Sequence, residues 1–93
     1  MRIETDVFVG INKRHTVVFI LLDEFGYLLP YSANVKLDIY NVVGRHIETL
    51  LNLYQSAGNH QVSWSADDVA SGVYFYKLQA DDFSETRKMF LVR

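Results

Sequence analysis

The sequence predicts an all-β domain folded as an antiparallel sandwich, and three observations predict it. Val, Ile, Thr, Phe, Tyr and Trp supply 33 of the 93 residues, against 5 Ala. β-Branched and aromatic side chains suit a pleated, half-buried surface and lose rotamer freedom in a helix. Five Gly and one Pro act as punctuation between apolar runs. From residue 35 onward, strand-like segments return every ten residues or so, the rhythm of a sandwich.

Each element follows from its own pattern. Val7, Val9 and Ile11 alternate within residues 4–11, a modest strand signal broken by Asn12–Lys13–Arg14. His15 to Leu22 is a nearly continuous apolar run rich in β-branched residues, which predicts a strand covered on both faces or paired with a partner. Asp23–Glu24–Phe25–Gly26 has turn composition, and Tyr27 to Leu29 forms a short strand that Pro30 ends. Val35, Leu37 and Ile39 alternate with Lys36 and Asp38, placing the first set inward and the second outward. Asn41–Val42–Val43–Gly44 closes that strand as a tight hairpin in which Gly44 takes positive φ.

Residues 45–55 fit two templates. Ile47, Leu50, Leu51 and Tyr54 match helical spacing, while Ile47, Thr49, Leu51 and Leu53 match a strand. The flanking hairpins favour the strand. Gln55 to Asn59 turns, and the next strand carries Val62 and Trp64 inward. Val73 to Ala80 is the strongest strand signal, with Tyr74, Tyr76, Leu78 and Ala80 on one face. Asp81 to Ser84 turns it back into a last strand, where Met89 and Leu91 share a face.

Composition excludes several function classes. A net charge of −2 gives no grip on nucleic acid. Without cysteine there is no disulfide scaffold, thiolate metal site or thiol chemistry. The run Val17 to Leu22 is far short of the roughly 20 apolar residues a membrane helix needs. Lys13 and Arg14 before it faintly resemble a secretory signal, but Asp23–Glu24 stand where a small-residue cleavage site is wanted. No nucleophile elbow, phosphate loop, zinc-protease or EF-hand motif occurs, so no catalytic residue, cofactor or metal ligand is assigned.

Weaker candidates have plainer readings. His15, His46 and His60 are scattered and read as surface or half-buried strand residues rather than a metal set. The acidic pairs Asp23–Glu24, Asp67–Asp68 and Asp81–Asp82 sit where Asp caps turns, with calcium bridging as the sharper alternative. Trp64, Tyr74 and Tyr76 read as core rather than as a sugar-stacking platform.

From Leu29 onward, four blocks occur in order: an IYN-x-x-G hairpin at residues 39–44, AGNHQVSW, SGVYFY, and SETRKMFLVR at residues 84–93. Together they closely resemble the type A C-terminal sorting domain of type IX secretion substrates, itself related to the immunoglobulin-like domain of flagellar hook-capping proteins. The resemblance implies an immunoglobulin-like antiparallel β-sandwich of about seven strands over residues 29–93. It leaves residues 1–28 as divergent first strands or as sequence outside the family. The Asn-Pro-Phe-Asn-Pro-like opening usual in the family is missing, and Asp81 stands where the family favours Gly.

The resemblance also implies a role. The domain is a sorting signal read by outer-membrane secretion machinery and removed by a sortase-like protease, in transit through the periplasm to the cell surface or medium. Lys88, Met89, Phe90, Leu91, Val92 and Arg93 form the terminal strand expected to be recognised. Gly44, Gly58, Gly72, Trp64, Tyr74 and Tyr76 are expected to be structural. The alternative is an immunoglobulin-like interaction or oligomerisation module of a larger extracellular protein. The uncharged 15–22 strand further predicts a homodimer, because such a strand is safe only when its edges are covered. A hairpin with residues 7–11 would be the single-chain way to cover it.

Overall fold

The computed structural model describes residues 2–4, 17–21, 24–65, 69–81 and 83–92. They form eight strands and no helix: β1 (Arg2–Glu4), β2 (Val17–Leu21), β3 (Glu24–Leu29), β4 (Ala33–Asn41), β5 (His46–Gln55), β6 (Gly58–Ser63), β7 (Gly72–Ala80) and β8 (Phe83–Val92). Every pairing is antiparallel. A five-stranded sheet runs β1-β8-β7-β4-β5, and a three-stranded sheet runs β2-β3-β6.

The period-two patterns place the core between these sheets. Val35, Leu37 and Ile39 of β4 are buried with Tyr74, Tyr76, Leu78 and Ala80 of β7 and with Met89 and Leu91 of β8. The smaller sheet answers with Phe25, Tyr27 and Leu29. Trp64, just beyond β6, completes the cluster at 2% exposure. Removing each large apolar side chain from water favours folding by about 1.5–3 kcal/mol, and this layer supplies most of the driving force.

One expectation needs correction. The turn expected at Asp23 to Gly26 is largely strand: β3 begins at Glu24, and Phe25 is a core residue. Phe25, Tyr27 and Leu29 keep strand alternation through a segment whose acidic composition resembles a turn. The antiparallel sandwich of about seven strands is as expected, and β1 adds itself to β8, pairing Arg2 with Val92 and Glu4 with Phe90. That pairing covers the outer edge of the terminal strand over residues 90–92. The strand expected over residues 4–11 lies, beyond Glu4, outside the described residues.

β5 shows why its sequence fits two periods. The register with β4 shifts twice, leaving Leu50 and Ile47 as extra residues opposite no partner of their own. A bulge changes the phase of side chains along a strand. Ile47, Leu50 and Leu51 therefore all reach the core cluster although their spacing is helical. The same bulges break up what would otherwise be a long, regular edge.

Two turns fix the hairpins. In the β4–β5 turn the Asn41 carbonyl accepts the Gly44 N–H at 3.0 Å, and the Asn41 side-chain oxygen accepts Val43 N–H at 3.1 Å and Arg45 N–H at 2.9 Å. Gly44 has φ +85°, which a side chain would strain. The β7–β8 turn places Asp81 at φ 52°, where Gly is usual. Its carboxylate gives a reason for Asp: it accepts the Asn34 N–H at 2.9 Å, while the Asp81 N–H donates to the Asn34 carbonyl at 3.0 Å. Both bonds tie this turn to the start of β4.

Candidate recognition surface

Strand β8 divides its side chains between two environments. Met89 is fully buried and Leu91 nearly so, whereas Lys88 and Phe90 are exposed and Val92 is half-buried. Arg93 lies outside the described residues. Only the outward residues can meet a partner while the domain stays folded; Met89 and Leu91 anchor the strand that presents them. The Lys88 ammonium sits 5.6 Å from the centre of the Phe90 ring, close enough for a cation–π interaction.

The residues expected to be structural form the frame behind this strand. Trp64 and Tyr74 meet edge to face with ring centres 5.9 Å apart, and Tyr76 meets Phe25 of the opposite sheet at 5.2 Å. The Tyr74 hydroxyl donates to the Ala70 carbonyl at 2.7 Å, pinning the loop that leads into β7. This bond resembles the tyrosine corner of sandwich folds, and reading Tyr74 as a core residue gives no hint of it. Burial of Trp64, Tyr74 and Tyr76 leaves no ring face for sugar stacking. Gly58 (φ +126°) starts β6 and Gly72 (φ +150°) starts β7.

Tyr27 links the sheets at the other end. Its hydroxyl donates to the Gln55 side-chain oxygen, and its ring stacks on His60 at 5.6 Å. Burial pushes the Tyr27 hydroxyl pKa up, with the Gln55 bond acting in the opposite direction. His60 Nε2 donates to the Ser56 carbonyl at 2.7 Å.

Asp38 is a site the sequence reading missed. It points outward as its alternation requires, yet it is 2% exposed. Thr49 donates its hydroxyl to Asp38 Oδ1, His46 Nε2 lies 2.9 Å from the same oxygen, and Lys36 Nζ lies 3.7 Å from the other. Burial pushes the Asp38 carboxyl up; the Thr49 and His46 bonds, with the Lys36 charge, outweigh it and hold the pKa below its ordinary value. A carboxylate with a depressed folded pKa stabilises above its unfolded value, near 4, and loses that contribution as the pH falls through the folded one. Asp38→Asn should therefore cost about 1–3 kcal/mol at neutral pH, and the gap from the parent should close on acidification below pH 4. Unfolding midpoints measured from pH 7 down to 2.5 check this; a gap that does not change with pH refutes it.

The remaining candidates come apart in space. Among the described residues no three His, Cys, Asp or Glu side chains gather as metal ligands. His15, Asp23, Asp67, Asp68 and Asp82 lie outside the described residues, so the calcium reading falls there too. Among the described residues no helix is long and apolar enough to cross a membrane.

The family model described as the secretion system C-terminal sorting domain matches residues 17–92. No curated protein and no solved structure matches the chain. The matched stretch runs from the first residue of β2 to the last of β8 and takes in both sheets and the whole buried core. By that extent the chain belongs to the secretion system C-terminal sorting domain family.

Proposed function

We propose that this domain is the type IX sorting signal of an exported protein, recognised as a folded β-sandwich by the outer-membrane secretion machinery. A sortase-like protease removes it on delivery, after passage through the periplasm to the surface or medium. The family match over residues 17–92 carries this reading. The domain performs no chemistry of its own; it presents a surface. Lys88, Phe90 and Val92 are its outward terminal residues, Met89 and Leu91 keep them in register, and Arg93 belongs to the same recognised segment. The immunoglobulin-like interaction module gains no support from the family. The test is a fusion of this chain to the C-terminus of an inert periplasmic cargo, in a host with a type IX system. The cargo should appear outside the cell, and a cargo held in the periplasm refutes the sorting reading.

Self-association belongs to the same proposal. β2 is an end strand of its sheet, its one described partner is β3, and its sequence VVFIL is uncharged. An end strand of this kind favours edge-to-edge pairing with a second copy. The residues 7–11 hairpin that would cover it lies outside the described residues. Light scattering at micromolar concentration should give twice 10.8 kDa, and Ile20→Lys should lower it. A mass near 10.8 kDa for the unaltered chain rejects the dimer.

A further inference from the structure

The outward face of the five-stranded sheet is unevenly built. Register places Phe90 opposite Val73, Lys88 opposite Phe75, Phe75 opposite Tyr40, and Tyr40 opposite His46. These positions share one face and cross four strands at the end of the sheet that carries the β4–β5 hairpin. Phe90 is 44% exposed, and Val73, Phe75 and Tyr40 are half-buried. Towards the other end the outward positions are polar: Thr86 and Lys77, then Ser84 and Gln79. A solvent-facing side of an antiparallel sheet is ordinarily polar throughout, so the apolar end is the departure. Val42 and Val43, at the hairpin tip on that same end, are also exposed.

Charge is sorted as well. On β4, β5, β7 and β8 the outward positions carry Lys36, Lys77 and Lys88 against Asp38, and register with β1 adds Arg2 opposite Val92 and Glu4 opposite Phe90. Asp38 is buried and engaged by Thr49, His46 and Lys36, so it offers little negative charge outward. Arg45, exposed in the hairpin, adds a further cation beside His46. The chain as a whole is −2, so this face opposes the sign of the rest. An apolar row between Lys88 on one side and Arg45 on the other complements a partner of apolar side chains flanked by carboxylates.

We propose that this face docks an apolar segment of the secretion machinery flanked by carboxylates. The proposal rests on the sorting reading and deepens it: recognition is by a folded face, to which Tyr40, Arg45 and Phe75 contribute although they are remote in sequence from the terminal residues. Exposed cations act mainly on the rate of encounter and the choice of partner, and the half-buried aromatic row acts on how long the complex lasts.

The test uses the cargo fusion of the whole chain. Arg45→Glu with Lys88→Glu, and separately Phe75→Thr, should each lower the exported fraction about tenfold or more. Glu48→Lys, an exposed β5 position opposite the inward Ile39, should leave it unchanged. Melting of each purified chain confirms that the fold is kept; the charge variants alter only exposed side chains and keep the test decisive if Phe75→Thr unfolds. An unaltered fusion that is exported, with folded Arg45→Glu/Lys88→Glu exported equally well, overturns the face and leaves the sorting reading standing. An unaltered fusion that is not exported overturns the sorting reading, and the face with it.

Discussion

Trp64→Ala is expected to lower the unfolding free energy by about 3–5 kcal/mol, the cost of emptying a large aromatic site in a packed core. A domain of this size has only about 5–15 kcal/mol in total, so the variant should melt far below the parent or not fold at 37 °C. Trp64 joins the core between the sheets, edge-on to Tyr74. Loss of the ring also leaves Tyr74 without its partner while its hydroxyl still holds Ala70. Thermal or urea unfolding checks the value, with Val73→Thr on the outward face as a control expected to cost less than about 1.5 kcal/mol. An unchanged midpoint for Trp64→Ala refutes the packing described for the core.

Much of this fold is legible in the sequence because its strongest strands obey period two without interruption. β7 buries alternate residues as written and β4 does so apart from Asp38, and the inward set of each is the set that forms the core. The hairpin glycine Gly44 is equally legible, since φ +85° is a demand that few residue types meet. Signals failed where local chemistry and tertiary pairing disagree. Asp23–Glu24–Phe25–Gly26 carries turn composition, but pairing of Phe25 with Val62 and of Gly26 with Gln61 draws it into β3. In β5 two bulges mimic a helical period, and a bulge leaves no composition signal to find.

The candidate surface was half legible. Alternation in KMFLV tells which terminal residues point inward, but not which sheet face has nothing packed on it. That depends on the smaller sheet covering one side only. Asp38 was read as an ordinary outward acid because its partners Thr49 and His46 come from the next strand across a bulged register. β1 was missed for a simpler reason: three residues are too few to show a period.

Deleting residues 89–93 should abolish export of a cargo fused to this domain. The deletion removes Met89 and Leu91 from the core, strips β7 of its partner over Gly72 to Tyr74, and takes away the edge on which β1 pairs. Two buried side chains at about 2–5 kcal/mol each already rival the whole stability of a small domain. The deleted chain should therefore be unfolded, degraded in the periplasm and absent outside the cell. Unfolding and lost recognition are separated by two single changes. Leu91→Met conserves volume and costs less than about 1.5 kcal/mol, so export should persist. Leu91→Asp buries an unpaired carboxylate, which should unfold the domain and stop export as fully as the deletion does. If Leu91→Asp is instead exported normally while the deletion is not, the machinery reads the terminal residues as an extended peptide and the folded sandwich is not the signal. Cargo that reaches the surface equally well without residues 89–93 removes the terminal strand from the sorting mechanism altogether.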